Sequence, residues 1–333
     1  MKQKIKITLA AILAVVMIWL IAVMSDWGGI GRNKDLVIEI PEGVGSSGIA
    51  QILKENKVVS YPAAFRLYTR LGKTPVWQKG KHIVNTSMSY KQLKEKLQAM
   101  PDIAPDVKKV VIPEGYELRQ VVDLLVEQGL GKRETFWQEI EQGVFDYSFL
   151  AKIPARENRL EGYLYPDTYM ISVEESEHQI IDKMLKAFEE KALPLYDASG
   201  SEKSLDEILI MASVIEREAA NDEERPQVAS VFYNRLKIGM KLESCATVQY
   251  ILKERKKVLS NQETAIDSPY NTYKYEGLPV GPIAAPGHAS IQAALYPAET
   301  EYLYFLATAD GSKNLFSKTF QEHNQKTVET QSN

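Results

Sequence analysis

Apolar residues follow three rhythms along this chain, and each rhythm predicts a different kind of element. The first is an unbroken run. Behind the three lysines of "MKQKIK", the stretch Ile7–Met24 holds 18 residues without a charge. A run of that length reads as a helix able to span a bilayer, at the short end of the usual range. With the lysines ahead of it, the N-terminus is expected in the cytoplasm and the body after Ser25 outside. A cleaved signal peptide would carry a shorter apolar core and a small-x-small site, and "AVMSDW" is a poor one. No lipobox cysteine is present.

The second rhythm is helical and occurs twice behind the same turn. "IPEGVGSSGIAQILKENKVV" places Ile49, Ile52 and Leu53 on one face, and "IPEGYELRQVVDLLVEQGLG" does the same with Val121, Leu124 and Leu125. Each copy reads as a strand end, a Pro-Glu-Gly turn and an amphipathic helix. Between them, "YPAAFRLYTRLGK" and "SYKQLKEKLQAM" read as helices and "VWQKGKHIVN" as a strand. Residues 37–135 are thus expected to form a mixed α/β module after a linker over 28–36.

The third rhythm belongs to a second domain, expected over 136–327. "NRLEGYLYPDTYMIS" is rich in tyrosine, and the helices "EHQIIDKMLKAFEEKALPLY", "SLDEILIMASVIEREAA" and "PQVASVFYNRLKIG" come after it. The last third is loop-rich, and long ordered loops tend to carry function. "YLYFLATADG" reads as a core strand and residues 328–333 as a disordered tail. The expected class is α+β.

The helix read from "SLDEILIMASVIEREAA" is apolar on nearly every side between Ile208 and Ile215, which marks it as buried. It nevertheless ends in two acids, Glu216 and Glu218, about 200° apart on the helical wheel. Acids at a helix C-terminus oppose its dipole. A carboxyl desolvated there would hold its proton toward neutral pH, as a general acid for a glycosidic oxygen must. The other acid could pair with Arg217, Arg225 or Arg235. A solvated last turn is the plainer alternative, and spacing does not choose between the two glutamates.

Composition narrows the classes. The 333 residues suit two or three domains, and the net charge of −4 gives no basic stripe for nucleic acid. The single cysteine, Cys245, excludes an intramolecular disulfide. The four histidines are scattered without an H-E-x-x-H arrangement, so no metal site is expected. No lysine sits in a phosphate-binding setting that pyridoxal phosphate would need, so no cofactor is expected.

"LEGYLYPDTY", "MASVIEREA", "VASVFYNRLKIGMKLES", "ATVQY", "SPYNTY", "GLPVGPI" and "FSKTFQEHN" occur in this order. Together they closely resemble the endolytic murein transglycosylases, the YceG-like family, over residues 36–325. The resemblance implies a LysM-like module followed by a catalytic domain, with peptidoglycan glycan strands as substrate. It implies non-hydrolytic cleavage between N-acetylmuramic acid and N-acetylglucosamine, leaving a 1,6-anhydro end. The essential glutamate of the family motif falls on Glu218, with Glu216 in a supporting role. Matched positions expected to touch sugar are Tyr165, Asp167, Asn234, Asn271, Thr272 and Tyr273, although Asp167 also suits a turn former. One position departs: the family often has aspartate where this chain has Cys245. Peptidoglycan synthases are the partners the resemblance suggests, and a non-catalytic wall-binding scaffold is the alternative role.

Overall fold

The computed structural model describes the backbone of residues 2–30, 33–71, 73–103, 106–256 and 258–332; the side chains of 2–12, 15, 331 and 332 are not included. The chain divides into two compact units, Met1–Asp106 and Val107–Asn333. The boundary expected after residue 135 therefore lies inside the second unit. The second Pro-Glu-Gly copy belongs to that unit, because its strand pairs with a strand from the tyrosine-rich segment.

The first unit runs α1 (Lys2–Gly28), β1 (Asp35–Ile40), α2 (Ser46–Glu55), α3 (Pro62–Arg70), β2 (Gly80–Asn85) and α4 (Tyr90–Gln98). Helix α1 covers the unbroken apolar run. Among the described residues no helix is long and apolar enough to cross a membrane. The expected span, Ile7–Met24, falls partly on side chains outside that description. Strands β1 and β2 pair antiparallel, from Asp35 opposite Asn85 to Ile40 opposite Gly80. Alternation turns Ile38, Ile40 and Val84 inward, where they meet Ile49, Leu53, Phe65, Leu93 and Leu97 in one core. Both helices predicted between the repeats form.

The second unit opens with β3 (Val107–Val111), α5 (Leu118–Glu127), α6 (Arg133–Gln142) and β4 (Thr168–Ser172). β3 pairs antiparallel with β4, Val107 opposite Ser172 and Val111 opposite Thr168. Helices α7 (Glu177–Lys191), α8 (Leu193–Ser199), α9 (Leu205–Glu218) and α10 (Arg225–Lys237) come next. Sequence pattern merges α7 and α8 into one helix; Pro194 in the first turn of α8 marks the break. Then come α11 (Cys245–Leu252), α12 (Asn261–Thr264), α13 (His288–Leu295), β5 (Tyr304–Ala307), β6 (Asn314–Ser317) and α14 (Phe320–Ser332). Two expectations change here. β5 forms, but its residues are half-buried or exposed rather than core, since it lies in a two-stranded sheet with β6. The tail is helical to Ser332, with Lys326 donating to the Phe316 carbonyl.

Helix α9 is the axle of this unit. A capping box between Ser204 and Glu207 starts it. From Ile208 to Ile215 every residue is buried, packed against α10, α11 and α13. Burial on all sides fixes the rotation of α9, and with it the directions in which its last two acids point.

Candidate active site

Each acid at the end of α9 meets the N-terminal end of another helix. Glu216 accepts from the Gly287 backbone N–H at 3.0 Å and the Ser290 hydroxyl at 2.8 Å, at the start of α13. The Arg225 guanidinium stands 3.2 Å away, and both side chains are less than a tenth exposed. Glu218 faces α11 instead. Its Oε1 accepts from the Ser244 hydroxyl at 2.5 Å and from the Ala246 N–H at 3.2 Å. The dipole that would repel both acids at the C-terminus of α9 is thus opposed by two helix N-termini that attract them.

The two carboxylates differ in how they are held. Glu216 is held by a buried ion pair and two hydrogen bonds, all of them on its Oε2. Glu218 has two donors and no ion pair among the described residues; burial pushes its carboxyl above the ordinary value. The donors Ser244 and Ala246, and the charges of Arg217 and Arg235, pull the other way. A partly desolvated acid on two fixed donors can hold a proton and release it without moving.

The second Pro-Glu-Gly turn closes one side of this arrangement. Gly115, at φ +74°, lies against Glu216 and Arg217, and its N–H donates to the Ala285 carbonyl at 2.8 Å. Glu114 lies so close to Gly287 that a Cβ there would collide with its carboxylate. Burial, and then the neighbouring Glu216 charge, raise the proton affinity of Glu114. The first copy is used differently: Glu42 is an exposed partner of Lys79.

The structure gathers only part of the expected set of sugar contacts. Thr272 accepts from the Ser244 N–H at 3.0 Å, so it braces the holder of Glu218. Tyr273 places its hydroxyl 3.0 Å from the Cys245 sulfur, beside the same holder. Asn271 is fully buried and ties the Thr264 and Ile266 carbonyls, which makes it a loop brace. Asn234 bonds the carbonyls of Thr300 and Tyr302. Tyr165 is buried and its carbonyl accepts from the Tyr169 hydroxyl. Asp167 accepts from Thr168 N–H at 2.8 Å and pairs with Lys191. None of these partners of Asn234, Tyr165 or Asp167 is Glu218.

Sequence reasoning missed Ser244, Ala246, Gly287, Ser290 and Glu114. It also missed Glu161, which is 2% exposed and accepts from the Leu118 N–H at 2.9 Å and the Tyr250 hydroxyl at 3.0 Å. Burial lifts its carboxyl to about 8, against those two hydrogen bonds. In the unfolded chain it titrates near the ordinary value of 4.5. The folded state then holds a proton that the unfolded state lacks between the two values, so stability falls as pH rises across that window. Stability from this group is complete below about pH 4.5 and exhausted above about pH 8. Unfolding midpoints measured from pH 5 to 9 should decline in the wild type, and the decline should flatten in Glu161→Gln. Parallel curves for the two would remove Glu161 as the source.

The YceG-like family model matches residues 38–329, and the chain belongs to that family. It is 33% identical to an endolytic murein transglycosylase of Bacillus subtilis (strain 168), over 86% of this chain and 82% of that one. A protein of the same name from Streptococcus pneumoniae (strain D39) is 31% identical, over 89% of this chain and 58% of its own length. The crystal structure of a yceG-like protein from Listeria monocytogenes is 35% identical. It superposes with a TM-score of 0.56, over 88% of this chain and 99% of that one.

Proposed function

We propose that this chain is an endolytic lytic transglycosylase that cuts peptidoglycan glycan strands at the N-acetylmuramic acid–N-acetylglucosamine β-1,4 bond. The observation that carries the proposal is the asymmetry of the two acids: Glu216 is locked in a buried ion pair, while Glu218 is half-desolvated on two neutral donors. The names of the relatives, both endolytic murein transglycosylases, support the same reading.

In this mechanism the protonated Glu218 donates to the leaving glycosidic oxygen as the C1–O4 bond breaks. The muramyl 6-hydroxyl then attacks C1 of its own ring, and its proton passes to the Glu218 carboxylate. The acid is restored, no water is consumed, and a 1,6-anhydro end remains. A two-carboxylate glycosidase would need a second acid opposite the first, as nucleophile or water activator. Glu216 does not suit that task because its Oε2 already holds the Arg225 guanidinium and the Gly287 and Ser290 donors. Ser244 and Ala246 keep the carboxyl oriented through both proton transfers. Mass spectrometry of digested peptidoglycan tests the scheme: anhydro ends are expected, and reducing ends would make the protein a hydrolase.

Ser244 sets the working pH. Its hydrogen bond favours the carboxylate, so removing it raises the proton affinity of Glu218 further. Activity that requires the protonated acid should therefore persist to higher pH in Ser244→Ala, with the alkaline limb of kcat/KM displaced upward. A limb left in place, or shifted downward, would show that Ser244 does not tune the acid.

The wider context belongs to the same proposal. The β1–α2–α3–β2 order and antiparallel pairing of the first unit support a LysM-like, wall-binding role. The apolar run of α1 behind three lysines supports a single-pass anchor with the body outside the cell. An enzyme so placed would end nascent strands beside the synthases that extend them. A non-catalytic wall-binding scaffold would account for the first unit but not for the half-desolvated Glu218.

A further inference from the structure

Beyond the acid site, the second unit holds a cavity of about 410 Å³ around the C-terminal half of α11. Its walls include Trp137 of α6, Tyr250 of α11 and Tyr270, all half-buried, with the rings of Tyr250 and Tyr270 4.9 Å apart. Its floor is polar but already balanced. Glu117 is bonded by Arg119 at 2.6 Å and by Arg217 at 3.1 Å. Glu161 takes the Leu118 N–H and the Tyr250 hydroxyl. The remaining open chemistry is amide and hydroxyl, from Asn158 and Ser268, between the exposed and oppositely charged Glu157 and Lys253.

This combination offers a charged ligand no net preference: Glu157 and Lys253 carry opposite charges at the exposed side, and the Glu117 carboxylate is already paired with Arg119 and Arg217. Aromatic faces with a few orienting polar groups suit a neutral pyranose. The position agrees with that choice. Helix α11 presents its N-terminal end to Glu218 through Ala246 and lines the cavity with Tyr250 and Ile251. Four residues along a helix advance it about 6 Å, on the scale of a single sugar ring.

We infer that this cavity is a glycan subsite that binds an N-acetylhexosamine unit of the strand close to the bond being cut, with Trp137 as its stacking wall. The inference rests on the transglycosylase reading for the identity of the strand, but the binding event can be observed without catalysis. The Arg217 guanidinium links the two places: it lies between Glu216 and Glu218 on α9, and it holds Glu117 in the cavity floor.

The test uses the full chain in detergent with triacetylchitotriose, a soluble N-acetylglucosamine trimer that has no muramyl 6-hydroxyl cleavage site. Titration calorimetry should show binding to wild type and to Glu218→Gln. Affinity should fall about tenfold in Trp137→Ala, the loss of one aromatic face. Because Trp137 also packs against the core, a second variant, Ser268→Trp, narrows the cavity from a half-buried loop position and should weaken binding while circular dichroism stays unchanged. On polymeric peptidoglycan both variants should raise KM with little change in kcat, the pattern of lost uniform binding. No binding to wild type, or wild-type affinity in both variants, overturns the subsite. The two readings fail separately. Trimer binding lost in both variants, without any anhydro product from wild type, would keep the subsite and remove the transglycosylase. Anhydro product with unchanged trimer affinity would do the reverse.

Discussion

Glu218→Gln should remove activity almost completely while leaving the fold intact. The amide retains an oxygen that can accept from Ser244 and Ala246, so the local hydrogen bonds survive the change. The transferable proton is lost. A positioned general acid or base contributes about 10²–10⁴-fold, and in the proposed mechanism one group serves both transfers, so a loss near the upper end is expected. Release of anhydro-muramyl ends from purified strands, followed over time by mass spectrometry, measures it. Glu216→Gln should behave differently, with a weaker fold and a smaller loss of turnover, because that side chain holds its neighbours. If Glu216→Gln silences the enzyme and Glu218→Gln spares it, the two roles are reversed.

The largest stability effect is expected at Arg225. Its guanidinium stands between Glu216 and Asp222, and removing it leaves the Glu216 carboxylate buried beside Glu114 without a counter-charge. Breaking a buried pair from one side costs about 3–5 kcal/mol. Arg225→Leu should therefore lower denaturant stability by about that amount. Adding Glu216→Gln to it should recover part of the loss, since the orphaned charge is then gone. A single variant within about 1 kcal/mol of wild type would mean that water reaches the pair, as at surface bridges. No recovery in the double variant would place the cost in lost packing of the arginine stem rather than in charge.

Much of the framework was legible because its signals are local. The two Pro-Glu-Gly copies each give a strand, a turn and a helix, since periodicity and turn chemistry act within ten or so residues. The helical wheel separates Glu216 from Glu218, and the structure sends them to different neighbours, α13 and α11. An arginine partner was expected from three candidates, and Arg225 is the one that meets Glu216. Features that depend on a distant segment were illegible. Helix α13 lies in a stretch rich in proline, glycine and tyrosine, and both α11 and α13 are only eight residues long, so each leaves little periodic trace. Yet those helices supply the donors that distinguish the two acids. Tyr165, Asp167 and Asn234 illustrate the converse: they belong to the matched motifs, but the Tyr165 carbonyl accepts from the Tyr169 hydroxyl, Asp167 meets a neighbouring N–H and a lysine, and Asn234 donates to backbone carbonyls. A motif marks positions that matter without saying whether they matter to chemistry or to shape.

The order in which the site's parts occur along the chain has a consequence for biosynthesis. Glu218 is made before everything that holds it: Ser244 and Ala246 come 26 and 28 residues later. The α13 clamp on Glu216 comes 71 and 74 residues after that acid. A chain emerging N-terminus first therefore exposes its acid pair unarmed, and the pair is set only once Ser290 has cleared the ribosome. Fragments abandoned before that point carry the motif but not the holder, so a half-made chain bears an acid pair that nothing positions.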